Sequence, residues 1–188
     1  MPAPLLSREQ VIDRLMLVFR RQGFEGASLA ELSKAAGLGR SSLYHYFPGG
    51  KEEMARAALE RMDTWAQEHL LIPLRGAGTP EARLEKFVAA LDSLYAHGRE
   101  ACLLGTLVHG ESRLLFQEPL RASFETLIDA LAQLAVEAGV ETSEARQRAE
   151  EAVLRIQGAL ILSGGLDDNG PFERVLASLS DQLLHSEV

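Results

Sequence analysis

Apolar residues recur three and four positions apart along almost the whole chain. No stretch alternates apolar with polar residues long enough to read as a strand. Val11, Leu15, Val18 and Phe19 follow the helical spacing behind Ser7 and Gln10, whose side chains can exchange hydrogen bonds with each other's backbone N–H as a capping box. Gly23 is the expected C-cap. A second box, Ser28 with Glu31, opens a short helix carrying Leu29, Leu32 and Ala36, and Gly37 ends it. Residues 40–46 form a third helix, broken by Pro48-Gly49-Gly50. A long helix follows from about Lys51 to Leu71, with Met54, Ala58, Met62 and Trp65 on one face.

Pro73 and the run Gly76–Pro80 read as a linker, with Thr79 as a cap and Pro80 at the first helical position. The next helix carries Leu84, Phe87, Val88, Leu91, Leu94 and Tyr95 and ends near Gly98. A short apolar segment covers 101–108. Pro119 is expected to open a helix carrying Leu120, Phe124, Leu127, Ile128, Leu131 and Leu134, closed by Gly139. Another helix spans about 143–163, and Gly164-Gly165 open a loop. Pro171 starts the last helix, with Phe172, Val175, Leu176, Leu179 and Leu183. The expectation is an all-α chain of about nine helices with no internal repeat and no low-complexity tract.

Composition narrows the class. The chain has 188 residues, 46% of them hydrophobic and only 6% aromatic, so it can bury a core and favours helix over sheet. The net charge is −8, unevenly spread. Residues 1–51 hold seven Lys/Arg against four Asp/Glu; the remainder holds 12 against 23. A mildly basic head on an acidic body lets one end approach a polyanion. Cys102 is the single cysteine, so no intrachain disulfide can form, which suits a reducing compartment. The first residues lack a basic region followed by an apolar run, and no stretch approaches the roughly 18 apolar residues of a membrane span. The expected location is the cytoplasm, with no membrane association. There is no P-loop, no dinucleotide glycine fingerprint and no nucleophile elbow, so an enzyme is disfavoured. His97 and His109 lack ligand-like neighbours at helical spacing, so neither a metal site nor a cofactor is expected.

The stretch Glu31–Lys51, ELSKAAGLGRSSLYHYFPGGK, carries the most information. A short helix, a Gly-containing turn and a second short helix rich in polar and aromatic residues make the plan of a helix-turn-helix, whose second helix enters the DNA major groove. Leu43-Tyr44-x-Tyr46-Phe47-Pro48 followed by Lys51 resembles the recognition-helix signature of the tetracycline-repressor (TetR) family of transcription regulators. The variant Phe-Pro-Gly-Gly-Lys resembles the branch named for lincomycin-resistance regulators (LmrA/YxaF-like). The matched block covers roughly residues 7–60. Weaker similarity continues at Cys102-Leu103-Leu104-Gly105 and Gln157-Gly158-Ala159-Leu160.

The resemblance and the chemistry together give each residue a role. Gly39 starts the recognition helix, where free N–H groups and the helix dipole favour a phosphate. Arg40 can bind guanine in bidentate fashion and is the first candidate base reader. Ser41 and Ser42 allow close approach, and the resemblance puts Ser42 and Tyr44 on phosphates. His45 could reach a base or a phosphate, and Tyr46 presents a hydroxyl to the DNA backbone. Ser28 and Lys51, each at a helix start, are expected at phosphates. The plainer alternatives are core for Leu43 and Phe47, surface aromatics for Tyr44 and Tyr46, and a solvated side chain for His45. The family often has Ala, Val and Ser where this chain has Ser33, Leu38 and Gly39. Ser33 therefore needs a backbone partner for its hydroxyl at a tight helix crossing, and Gly39 gives up a side-chain cap.

For the rest of the chain the resemblance implies a small-molecule sensor and a dimer. The expected domains are residues 1–50, a helix-turn-helix DNA-binding domain, and residues 51–188, a helical ligand-binding and dimerisation domain. The helix at 143–163 carries the small residues Ala145, Ala149, Ala152, Gly158 and Ala159. With the apolar stripe of the last helix it could form a four-helix interface between two chains; intrachain core is the alternative. Two recognition helices about 34 Å apart would read successive major grooves of a near-palindromic double-stranded operator. Trp65, Phe87, Leu91, Tyr95, Cys102, Leu107, Phe124, Ile128, Arg155 and Ile161 are the candidate lining of a pocket for a small hydrophobic or aromatic inducer, each with plain core as its alternative. Arg155 is either a solvated charge or an anchor for an anionic or phenolic ligand. Cys102 reads as an apolar filler rather than a redox switch. The expected function is a ligand-responsive homodimeric repressor. The rival readings are an activator, or a helical small-molecule-binding protein that has lost DNA recognition.

Overall fold

The computed structural model describes residues 6–185, and all regular structure among them is helical. The helices are α1 (Arg8–Gly26), α2 (Leu29–Ala36), α3 (Arg40–Tyr46), α4 (Gly50–Ala66), α5 (Ile72–Arg75), α6 (Pro80–Leu94), α7 (Leu103–Leu107), α8 (Ser112–Glu137), α9 (Thr142–Leu166) and α10 (Gly170–Leu184). A π-helical turn, Gln67–Leu71, joins α4 to α5 without interruption. With that rod counted once there are nine helices among the described residues, as the periodicity predicts.

Local caps explain the first boundaries. The Ser7 hydroxyl accepts the Gln10 N–H at 3.2 Å, and the Gln10 side chain accepts the Ser7 N–H at 2.9 Å. Gly23 does break helical geometry, at φ 69° and ψ −175°, but a further turn reaches Gly26. Gly37 closes α2 in the left-handed region. The Ser33 hydroxyl finds the backbone partner it needs in the carbonyl of Leu38.

Three expected boundaries are corrected. Pro73 lies inside the rod rather than in a linker. The N–H of Ile72 reaches back to the Gln67 carbonyl, and this wider π register relieves the clash a proline ring makes with the carbonyl four residues before it. Pro119 does not open a helix, because α8 begins at Ser112 and takes the proline inside. Gly164 and Gly165 stay helical, and α9 ends only where Asp167 turns left-handed at φ 51°.

The chain packs as two compact units. The first comprises Met1–Thr64 and Leu103–Leu120, so α4 and α7 join the three N-terminal helices. Leu15, Phe19, Leu32, Leu43, Phe47, Met54, Leu59 and Phe116 form its fully buried centre. The second comprises Trp65–Cys102 and Arg121–Val188. Its centre is built from Leu74, Leu84, Phe87, Phe172, Leu179 and Leu183. No helix among the described residues is long and apolar enough to cross a membrane.

Candidate nucleic-acid interface

Helix α3 is seven residues long and divides sharply between faces. Leu43 and the following Phe47 are buried at 1% and 0% exposure and fix the helix to the core. Arg40, Ser41, Ser42, Tyr44 and His45 are exposed, and Tyr46 is half-buried. Burial of one face by Leu43 therefore turns a cation, two hydroxyls, a phenol and an imidazole outward together. Tyr46 lies between His45 and Phe47, with ring centroids 6.4 Å away on either side.

Gly39 is the N-cap of α3, with an ordinary φ of −65° and no side-chain cap. A Cβ built there meets nothing within 4 Å. Neither backbone conformation nor crowding within the chain requires glycine at this position.

The two expected contacts outside α3 are held by their own chain. Ser28 caps α2: its hydroxyl accepts the Glu31 N–H at 3.2 Å and donates to Glu31 Oε2 at 2.7 Å. Gln22 donates to Glu31 Oε1 at 2.8 Å, tying the end of α1 to the start of α2. The Ser28 hydroxyl first, then the Gln22 amide, hold the Glu31 carboxyl below the ordinary glutamate range. Lys51 is half-buried, and its ammonium donates to the Phe24 carbonyl at 2.8 Å. An ammonium has three donors, so this bond leaves the charge able to serve a phosphate as well.

The candidate pocket residues separate on burial. Phe87, Leu91, Tyr95 and Cys102 are buried, while Trp65, Phe124 and Ile128 are half-buried. Trp65 stacks on His69 with ring centroids 4.8 Å apart. The other three lie elsewhere. Leu107 belongs to the first unit, where α7 packs on α1, and not to the interior of the second. Ile161 is 74% exposed on the outer face of α9. Arg155 is exposed and pairs with Glu151 at 2.7 Å, one turn earlier. Helical periodicity placed both on α9, but it could not say which stripe faces inward on a helix with apolar residues on several sides.

Around Ile161 the structure reveals an apolar surface. Leu154 is 70% exposed, Leu162 56% and Leu166 64%, all on α9. Gly158, Gly164 and Gly165 lie among them, and a Cβ on any of the three would meet nothing within 4 Å. A shallow, largely apolar groove runs beside them, lined by Arg155, Gly158, Ala159 and Leu162 of α9 and Pro171, Arg174, Val175 and Ser178 of α10.

Comparison with known proteins agrees with this architecture. Residues 11–58 match the family profile described as bacterial regulatory proteins, tetR family. The HTH-type transcriptional regulator LmrA of Bacillus subtilis (strain 168) is 26% identical over 183 residues, covering 94% of this chain and 96% of that protein. A TetR transcriptional regulator from Legionella pneumophila shares the fold with a TM-score of 0.84 at 17% identity, over 96% of this chain and 99% of its own. CifR, a TetR family transcriptional regulator solved as a cysteine mutant with 26-bp double-strand operator DNA, gives a TM-score of 0.75 at 20% identity, over 97% of this chain and 98% of its own.

Proposed function

The chain belongs to the TetR family of transcriptional regulators, and we propose that it acts as a homodimeric repressor that binds a near-palindromic operator and is released by a small hydrophobic or aromatic inducer. The observation that carries this reading is the outward face of α3. Arg40, Ser41, Ser42, Tyr44 and His45 are exposed together on a helix that Leu43 locks down. Arg40 and Ser41 are the base readers, with His45 beside them. Ser42, Tyr44, Tyr46, Lys51, Ser28 and the N–H groups after Gly39 contact the phosphate backbone and set register. The operator-bound solved relative supports the two-half-site reading: its 26-bp duplex is about two and a half turns, room for two half-sites one turn apart.

The dimer forms through α9 and α10. The exposed apolar stripe of Leu154, Ile161, Leu162 and Leu166 would be costly to leave in water, and interspersed glycines allow two helix backbones to approach closely. The inducer enters the second unit, among Phe87, Leu91, Tyr95 and Cys102, with Trp65, Phe124 and Ile128 nearer its surface. Release needs a coupling free energy of only about 1–3 kcal/mol, roughly 5–150-fold in operator affinity.

The test is fluorescence anisotropy of the purified protein on DNA from its own upstream intergenic region, with Arg40→Ala/Tyr44→Ala as the control. Selective, salt-sensitive binding that the control loses supports the reading. A folded, ligand-free dimer that prefers no sequence there or in a random pool overturns it.

A further inference from the structure

The last turn of α1 joins two segments of the first unit that lie far apart in sequence. Because Gly23 leaves helical geometry, Phe24 and Glu25 sit on a displaced turn. On one side, the Phe24 carbonyl accepts the Lys51 ammonium at 2.8 Å, and that ammonium lies 4.5 Å from the centre of the Phe24 ring. On the other side, Glu25 Oε1 accepts the N–H of Ser112 at 2.9 Å. That N–H belongs to the first residue of α8, where no intrahelical acceptor exists. The Phe24 ring meets Phe116 edge-on at 5.5 Å, and the Thr106 hydroxyl donates to the Phe19 carbonyl at 3.2 Å.

The fit is close. Ser112 is fully buried. Gly110 adopts φ +65°, and a Cβ there would lie 2.6 Å from Glu25 Oε1. The Ser112 N–H, as the largest influence, holds the Glu25 carboxyl below its ordinary range, so the acceptor is charged. Segment 106–116 thus grips the turn whose other side holds Lys51.

We propose that Phe24 and Glu25 are positioning residues for Lys51, and that segment 106–116 thereby sets how much this lysine contributes to holding a DNA phosphate. A lysine stem is flexible and its ammonium is a mobile point charge. The carbonyl and ring of Phe24 confine it. Displacing the turn by breaking the bond from Glu25 to Ser112 removes that confinement, and the contribution of Lys51 to binding falls. The inference rests on Lys51 being a phosphate contact. It adds a route by which a segment outside the helix-turn-helix adjusts DNA affinity.

A double-mutant cycle on a duplex that the wild-type chain selects from a random pool tests it, with dissociation constants measured across salt concentrations. In the wild-type background, Lys51→Ala weakens binding about five- to tenfold and flattens the salt slope by about one. In the Glu25→Ala background the same change costs less than about twofold and leaves the slope unaltered. Arg40→Ala costs the same factor in both backgrounds. Ser112→Pro removes the single N–H at a position where proline fits a helix, and reproduces Glu25→Ala; Ser112→Ala keeps the N–H and does not. Phe116→Leu runs the same cycle where the Glu25 variant fails to fold. An equal cost of Lys51→Ala with and without Glu25 overturns the proposal while leaving the phosphate contact standing. No cost of Lys51→Ala even in the wild type removes the phosphate contact itself, and the proposal with it.

Discussion

Arg83 and Glu137 pair at 2.5 Å, with the guanidinium buried at 6% side-chain exposure and the carboxylate still 39% exposed. The same guanidinium donates to the Leu74 carbonyl at 3.0 Å, near the end of the long rod. One cation therefore fastens α5, α6 and α8 within the second unit. The asymmetry of exposure decides what each partner is worth. Removing the arginine strands a buried carbonyl, whereas removing the carboxylate costs one half-solvated partner.

Arg83→Met should accordingly lower stability by about 2–3 kcal/mol, or roughly 5–10 °C in melting temperature for a chain of this size. Glu137→Gln should cost less than about 1 kcal/mol. Thermal and urea unfolding of the two variants checks the ratio. Equal losses would mean that the ion pair, not the carbonyl contact, carries the effect.

The pair also predicts a pH dependence. The Arg83 hydrogen bond first, and the Gln133 amide second, hold the Glu137 carboxyl below the ordinary glutamate value of 4.5. A carboxylate with a depressed folded-state value adds stability that is fully present above that ordinary value. The stability is lost as pH falls through the folded value. The difference between wild type and Glu137→Gln should be constant from about pH 7 to about pH 5 and shrink toward zero below that. Urea midpoints measured along this range report it. A difference that grows on acidification would reverse the assigned sign.

The recognition helix was legible in the sequence because its signals are local. Gly37, Gly39 and Pro48 bracket eight residues, and their composition is unusual for a solvated surface. The start of α8 was not legible for the opposite reason. Its cap is Glu25, 87 positions away from Ser112, so no local pattern announces it, and Pro119 attracted the boundary instead. Ile161 shows a second kind of blindness. Helix α9 carries apolar residues on inner and outer faces, and periodicity alone cannot tell a core stripe from one awaiting a partner. The coupling role of Phe24 and Glu25 was invisible for the same reason as the α8 cap, since it exists only through contacts distant in sequence.

Gly39→Ser tests the uncapped start of α3. Serine at an N-cap can accept an N–H of the first turn, and nothing within 4 Å obstructs its Cβ. The expected gain is a few tenths of a kcal/mol, about 1 °C in melting temperature. If DNA phosphate approaches this backbone closely, the same substitution weakens operator binding while raising stability. Melting and anisotropy measured on one preparation separate the two effects, and improved binding would argue against close approach at Gly39.

Gly158→Leu separates intrachain from interchain roles for α9 by the sign of its effect. Within one chain, leucine in place of a helical glycine should stabilise by about 0.8–1 kcal/mol, since glycine is a poor helix former. The space is open as well, because a Cβ at Gly158 meets nothing within 4 Å. Between two chains, the added side chain would push apart helices that glycine lets approach. The expected result is a helical protein whose dimer dissociates at concentrations where the wild type stays paired, seen by sedimentation. Ile161→Asp should do the same by charging an exposed apolar stripe, with little loss of stability in the single chain, since Ile161 is 74% exposed there. An unchanged dimer in both variants would move the interface away from α9. A dimer lost together with helicity would place Gly158 in the core of one chain instead.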